Sequence, residues 1–118
     1  MDKVAVIVLA DKETHEGLGR LYNALETVKE MKEERIEVQL IFDGAGTVWI
    51  SELENEEHIA NQLYREVKDK ITGVCDFCSK AFEVKNEIAK TDVPFLDEFE
   101  GLPSLAKLVK EGYQIITF

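Results

Sequence analysis

Residues 4–10, VAVIVLA, are the longest apolar run in the chain, and polar side chains nowhere alternate with the apolar ones. A strand with one wet face alternates with period two, whereas a continuous run marks a strand buried on both faces, as in a parallel sheet with helices above and below. The run is too short to cross a bilayer, and it lacks the basic leader and small-residue cleavage site of a secretory signal. The expected location is the cytoplasm.

Outward from this strand the pattern changes period. Leu18, Leu21, Tyr22, Leu25, Val28 and Met31 recur at spacings of three and four, predicting a helix over residues 16–33 whose KEMKEER end faces water. IEVQLIF at 36–42 reads as a second strand, stopped by Asp43-Gly44-Ala45-Gly46. Trp49, Ile50 and Leu53, then Ile59, Leu63, Tyr64 and Val67, predict one helix, or two pieces parted by the polar ENEE stretch. A third strand ends at Gly73-Val74-Cys75, and Phe77, Ala81, Phe82, Val84, Ile88 and Ala89 give a third helical stripe.

Val93 to Leu96 fits a short fourth strand, limited by Pro94. Pro103 suits the first turn of a last helix carrying Leu105, Leu108 and Val109, with Gly112 as its terminator and Tyr113–Phe118 as a closing strand. Neither a linker nor a repeat divides the chain. The pattern predicts a single domain over 1–118, an α/β three-layer sandwich around a mostly parallel sheet of about five strands with right-handed crossovers.

The 118 residues are 45% apolar and 32% charged, enough for a core that needs no disulfide. Their formal charge is −10, from 24 acidic and 14 basic residues, and a field of that sign repels phosphate backbones and anionic lipid. Arg20, Arg35 and Arg65 are scattered, so neither nucleic acid nor membrane is an expected partner.

All the cysteine lies in GVCDFCSKAF, residues 73–82. Cytoplasmic thiols are kept reduced, which favours reactive, metal-bound or packed cysteines over a structural disulfide. Cys75 falls at the carboxyl end of the third strand, where open parallel sheets gather their reacting groups. A helix beginning near Asp76 would direct amides at its sulfur and lower its pKa, opposed by the Asp76 carboxylate and assisted by Lys80. The competing reading is a small apolar residue closing the strand. Cys78, one turn on, is placed to resolve a sulfur species on Cys75 as a disulfide, or else packs with Phe77, Ala81 and Phe82.

A thioredoxin-like arrangement would set the redox pair after the first βα unit and behind a tryptophan, and here two units come first. Zinc calls for four ligands, while His15 in ETHEG and His58 in EEHIA lie far apart, so no metal and no other cofactor is expected. Asp43-Gly44-Ala45-Gly46 is not a dinucleotide loop, because the third glycine of that motif would fall at Trp49. Gly44 and Gly46 are instead expected to line the crevice and let backbone approach the sulfur, with Trp49 as a shield, a core residue or a subunit contact. Neither a phosphate-binding Walker loop nor a serine nucleophile elbow is present.

In the order of its features the whole chain resembles the DsrE/DsrF/YchN-like family of small sulfur-relay proteins. The likeness is carried by VAVIVLA, by IFDGAGTVWI after the second strand, by the cysteine ending the third strand in GVCDFCSKAF, and by GLPSLAKLVKEGYQIITF. The resemblance implies a persulfide carried on Cys75, protein partners that donate and accept the sulfur, and a homo-oligomer, trimeric or hexameric. Many members lack a second cysteine three residues on, so Cys78 separates a carrier from a dithiol. The readings in order are a sulfur-relay protein of the sulfurtransferase type, a non-enzymatic assembly or regulatory protein with packed cysteines, and a thiol-disulfide oxidoreductase using Cys75 and Cys78.

Overall fold

The computed structural model describes residues 2–118. Five strands, β1 (Lys3–Val8), β2 (Glu37–Phe42), β3 (Ile71–Cys75), β4 (Phe95–Leu96) and β5 (Gln114–Thr117), form one sheet in the order β4-β3-β2-β1-β5. Every neighbouring pair is parallel. Six helices connect them: α1 (His15–Glu33), α2 (Trp49–Glu54), α3 (Asn61–Val67), α4 (Asp76–Ala81), α5 (Lys85–Ile88) and α6 (Leu105–Lys110). The fold is therefore α/β, a parallel five-stranded sheet flanked by helices. No helix among the described residues is long and apolar enough to cross a membrane.

β1 lies between β2 and β5, and cores on both of its faces explain its lack of alternation. Val4, Val6 and Val8 join the large core with Leu21, Leu25 and Val28 of α1, Ile50 and Leu53 of α2 and Tyr64 and Val67 of α3. Ala5 and Ile7 join Ile41 and Leu108 in a smaller core on the opposite face. The chain walks from β1 out to β4 and then returns past β1 to β5. Right-handed crossovers running in opposite directions must put their helices on opposite faces, and the two cores divide the helices in this way. The outer layers are unequal, since α6 supplies the one helical residue of the smaller core.

α1 begins one residue before the predicted start, where the Thr14 hydroxyl accepts the Gly17 amide at 2.9 Å and satisfies one of the free donors of the first turn. The ENEE stretch parts α2 from α3, the second of the two alternatives read from the sequence.

Three expectations need correction. The third helical stripe is two short helices, because the chain turns at Glu83 in the left-handed region (φ 59°), and Phe77 and Phe82 are exposed instead of packed. Pro103 precedes α6 instead of opening it: Ser104 is the cap, its hydroxyl accepting the Lys107 amide at 3.2 Å. Of the residues assigned to the last stripe only Leu108 is buried, Leu105 and Val109 being exposed. Gly112 does end the helix, with φ 90°.

Candidate functional site

β2 and β3 end side by side, with Phe42 paired to Val74. The next residue on each chain is therefore held at the carboxyl edge of the sheet: Asp43 after β2, Cys75 at the end of β3. Asp43 caps a 3-10 turn over Gly44–Val48, its carboxylate accepting the Gly44 amide at 2.8 Å. Cys75 caps α4, its sulfur accepting the Cys78 amide at 3.3 Å, while its carbonyl accepts the buried Ser79 hydroxyl at 2.6 Å. One helical turn brings Cys78 around so that its thiol donates to Asp43 Oδ1 at 3.6 Å. The two sulfurs and a carboxylate oxygen of Asp43 all lie within 4.8 Å of one another. Both thiols are free.

A loop closes over this group. The Gly101 carbonyl accepts the Phe77 amide at 2.9 Å and faces the Cys75 thiol at 3.8 Å. Phe99 and Leu102 exchange backbone hydrogen bonds at 2.8 Å in both directions, which pinches the loop into a small hairpin. The result is asymmetric access, with Cys75 at 0% exposure and Cys78 half-buried. Beside them a cleft of about 310 Å³ is lined by Asp43, Phe99, Leu102, Pro103, Leu105 and neighbouring residues, so Asp43 belongs to both the cleft and the thiol group.

Cys75 was expected to have a depressed pKa, and the geometry reverses that. Burial pushes its thiol up to about 12, and the hydrogen bond from the Cys78 amide works the other way without offsetting it; the Cys78 side chain and the Asp43 charge push further upward. One amide cannot compensate for the loss of water. Asp76, feared as a repelling charge, is held by Lys85 at 2.6 Å and Lys80 at 3.2 Å, and these ammonium groups keep its carboxyl below the ordinary range. Lys80 thus answers Asp76 and not the sulfur, an i,i+4 pairing that its spacing from Asp76 allowed.

The turn of Gly44 and Gly46 packs against α4, but the close approaches of both glycines are to the end of β1. A Cβ at Gly46 would lie 2.1 Å from the Val8 carbonyl oxygen, and one at Gly44 3.3 Å from Leu9. Trp49 is 2% exposed, donates from Nε1 to the Ala10 carbonyl at 2.8 Å and meets the His58 ring edge-on; it is a core residue. His58 Nδ1 accepts the Ala60 amide, and His15 opens α1. Sequence reasoning missed Asp43 and Gly101. The first stood in view as the residue directly after a strand of a parallel sheet, while the second carried no local signal.

Residues 2–118 match the DsrE/DsrF-like family. The chain belongs to that family. Membership supports a role of the sulfur-relay type in general. The chain is 36% identical over 87 residues to the uncharacterized protein MJ0733 of Methanocaldococcus jannaschii, an alignment covering 74% of this chain and 70% of that one. Its fold is similar to the structure of a conserved protein of unknown function, BT1422, from Bacteroides thetaiotaomicron, with a TM-score of 0.67 and 17% identity over 99% of this chain and 95% of that one.

Proposed function

We propose that this family member carries sulfane sulfur as a persulfide on Cys75 and that Cys78 is the thiol through which the sulfur arrives. The observation that carries this reading is two free thiols within 4.8 Å of each other, one buried and one reaching solvent. A persulfide store has to be shielded from bulk reductant, whereas a receiving thiol has to be attacked or to attack.

The chemistry balances in two exchanges. The Cys78 thiolate attacks the outer sulfur of a low-molecular-weight persulfide, forming Cys78–S–SH and releasing the donor's thiolate. Cys75 then takes the outer sulfur from Cys78, its own proton passing to the Cys78 sulfur, so that a thiol and a persulfide change places with no change of charge. Asp43, hydrogen-bonded to Cys78, is the nearest base for that proton. An acceptor thiolate removes the sulfur by the reverse route. Left without an acceptor for much longer than loading takes, Cys78 attacks the inner sulfur, closing a Cys75–Cys78 disulfide and releasing hydrosulfide. Two unpaired thiols suit a reducing compartment, the cytoplasm.

Loading is read by intact-protein and fragment mass spectrometry after incubation with a small persulfide donor in the presence of a metal chelator. The wild-type chain gains one sulfur that maps to Cys75 and survives brief exposure to dilute thiol. Cys78→Ser loads about tenfold or more slowly, and Cys75→Ser gains sulfur on Cys78 and loses it at once to the same thiol. A wild-type chain that gains nothing, or a Cys75→Ser chain that retains sulfur as long as the wild type, overturns the assignment.

A homo-oligomer, trimer or hexamer, is part of the same proposal. Phe77 at 56% and Phe99 at 62% exposure flank the thiol group, and aromatic surface of that kind is characteristic of protein contacts. Light scattering is expected to give three or six times the chain mass, and a monomer at working concentration excludes this part.

A further inference from the structure

We propose that Asp43, Cys75 and Cys78 form a binding site for a borderline-soft divalent cation, zinc above all, with the fourth coordination position open. The reading stands apart from sulfur carriage, because it needs only the ligand atoms and their spacing.

Zinc–sulfur and zinc–oxygen bonds of about 2.3 and 2.1 Å at tetrahedral angles set ligand edges of about 3.6 Å between sulfur and oxygen and about 3.8 Å between sulfurs. The Cys78 sulfur and Asp43 Oδ1 are already 3.6 Å apart. The remaining edges lie within 4.8 Å, so closing onto an ion calls for movements of no more than about 1 Å, within the reach of side-chain rotation. The donors are anchored from different directions: Asp43 by the end of β2, Cys75 by the end of β3, Cys78 by the first turn of α4.

The surroundings suit a cation in two further respects. The Gly44 amide fixes the carboxylate at 2.8 Å and the Cys78 amide points at the Cys75 sulfur at 3.3 Å, hydrogen bonds of the sort that orient metal ligands from outside. Three groups able to carry negative charge meet here, while the nearby ammonium groups of Lys80 and Lys85 are both engaged by Asp76. Two sulfurs exclude hard cations such as magnesium and calcium, which take oxygen ligands. The sequence argued against zinc by counting cysteines and histidines toward four; the fold adds a carboxylate from 32 residues upstream of Cys75, and three protein ligands with one open position is the pattern of non-structural zinc sites. Binding forms two metal–thiolate bonds and releases the thiol protons to solvent, with no change of oxidation state. A bound ion and a persulfide on Cys75 are mutually exclusive.

The test uses the reduced, chelator-stripped chain with no sulfur donor present, so that its failure and the failure of sulfur carriage are separate results. Zinc chloride is titrated in competition with a chromophoric chelator, and cadmium chloride serves as a probe through its thiolate charge-transfer absorption. Expected are one ion per chain, a dissociation constant below micromolar, an absorption band of two-thiolate intensity, and X-ray absorption showing two sulfurs with oxygen completing the shell. Asp43→Asn weakens binding by about tenfold or more while the cadmium band persists, and Cys78→Ser removes half of the band. Cys78 is half-buried, so its variant carries the result even if Cys75→Ser fails to fold. Zinc uptake that is unchanged in Cys78→Ser, weaker than micromolar in the wild type, or accompanied by a four-sulfur shell bridging two chains overturns the site.

Discussion

Iodoacetamide is expected to modify Cys78 of the folded chain about a hundredfold faster than Cys75, a ratio that corresponds to a local opening of about 3 kcal/mol. Cys75 is fully buried, and reaching it requires breaking the 2.9 Å hydrogen bond from the Phe77 amide to Gly101 and lifting the Phe99–Leu102 hairpin. Cys78 needs no such opening. Gly101 has φ 86°, and a Cβ there would lie 3.2 Å from Phe77 Cβ, so Gly101→Val strains the cover twice over. That variant is expected to accelerate Cys75 modification by about tenfold or more and to leave Cys78 unchanged, both read by quenched labelling and fragment mapping. In urea the two thiols should converge. Equal rates in the native chain would remove the basis for giving the cysteines different duties.

The second large effect is on stability. Gly46→Ala places a methyl group 2.1 Å from the Val8 carbonyl oxygen and 2.7 Å from its carbon, backbone atoms at the end of β1 that have no rotamer to escape into. The cost is expected to be about 3 kcal/mol, a shift of about 2 M in the urea midpoint for a slope near 1.5 kcal/mol per molar. Gly19→Ala is the matched control. It lies on α1 with nothing within 4 Å of the added carbon, and it should stabilise the chain by about 0.8 kcal/mol through helix propensity. A Gly46→Ala chain that unfolds with the wild type would show that the turn shifts freely, and Asp43, which caps it, would lose its fixed place beside the sulfurs.

Where an element's burial follows from its own side chains, the chain could be read directly. β1 is the clearest case: the five apolar residues Val4–Val8 run without alternation, and all five are buried. α1 follows from its stripe and the Thr14 cap. The third stripe shows the boundary of that logic. Phe77 and Ala81 stand four residues apart, as do Val84 and the buried Ile88, yet Phe77 faces solvent, because a period records which side chains share a face and says nothing about what covers it. Lys80 is a different case. Its i,i+4 partner Asp76 was legible in the spacing, but the competition between that carboxylate and a thiol depends on distances.

By itself the sequence determined a mostly parallel sheet of about five strands with helices on both faces and a cysteine at a strand's carboxyl end, because those follow from periodicities spanning a few residues. Only the tertiary structure decided that cysteine's surroundings. Asp43 and Gly101 reach Cys75 from 32 residues before it and 26 after it, one raising its pKa with a charge and the other sealing it beneath a carbonyl. Burial and charge at a point are sums over neighbours in space, and a chain read in order shows few of them.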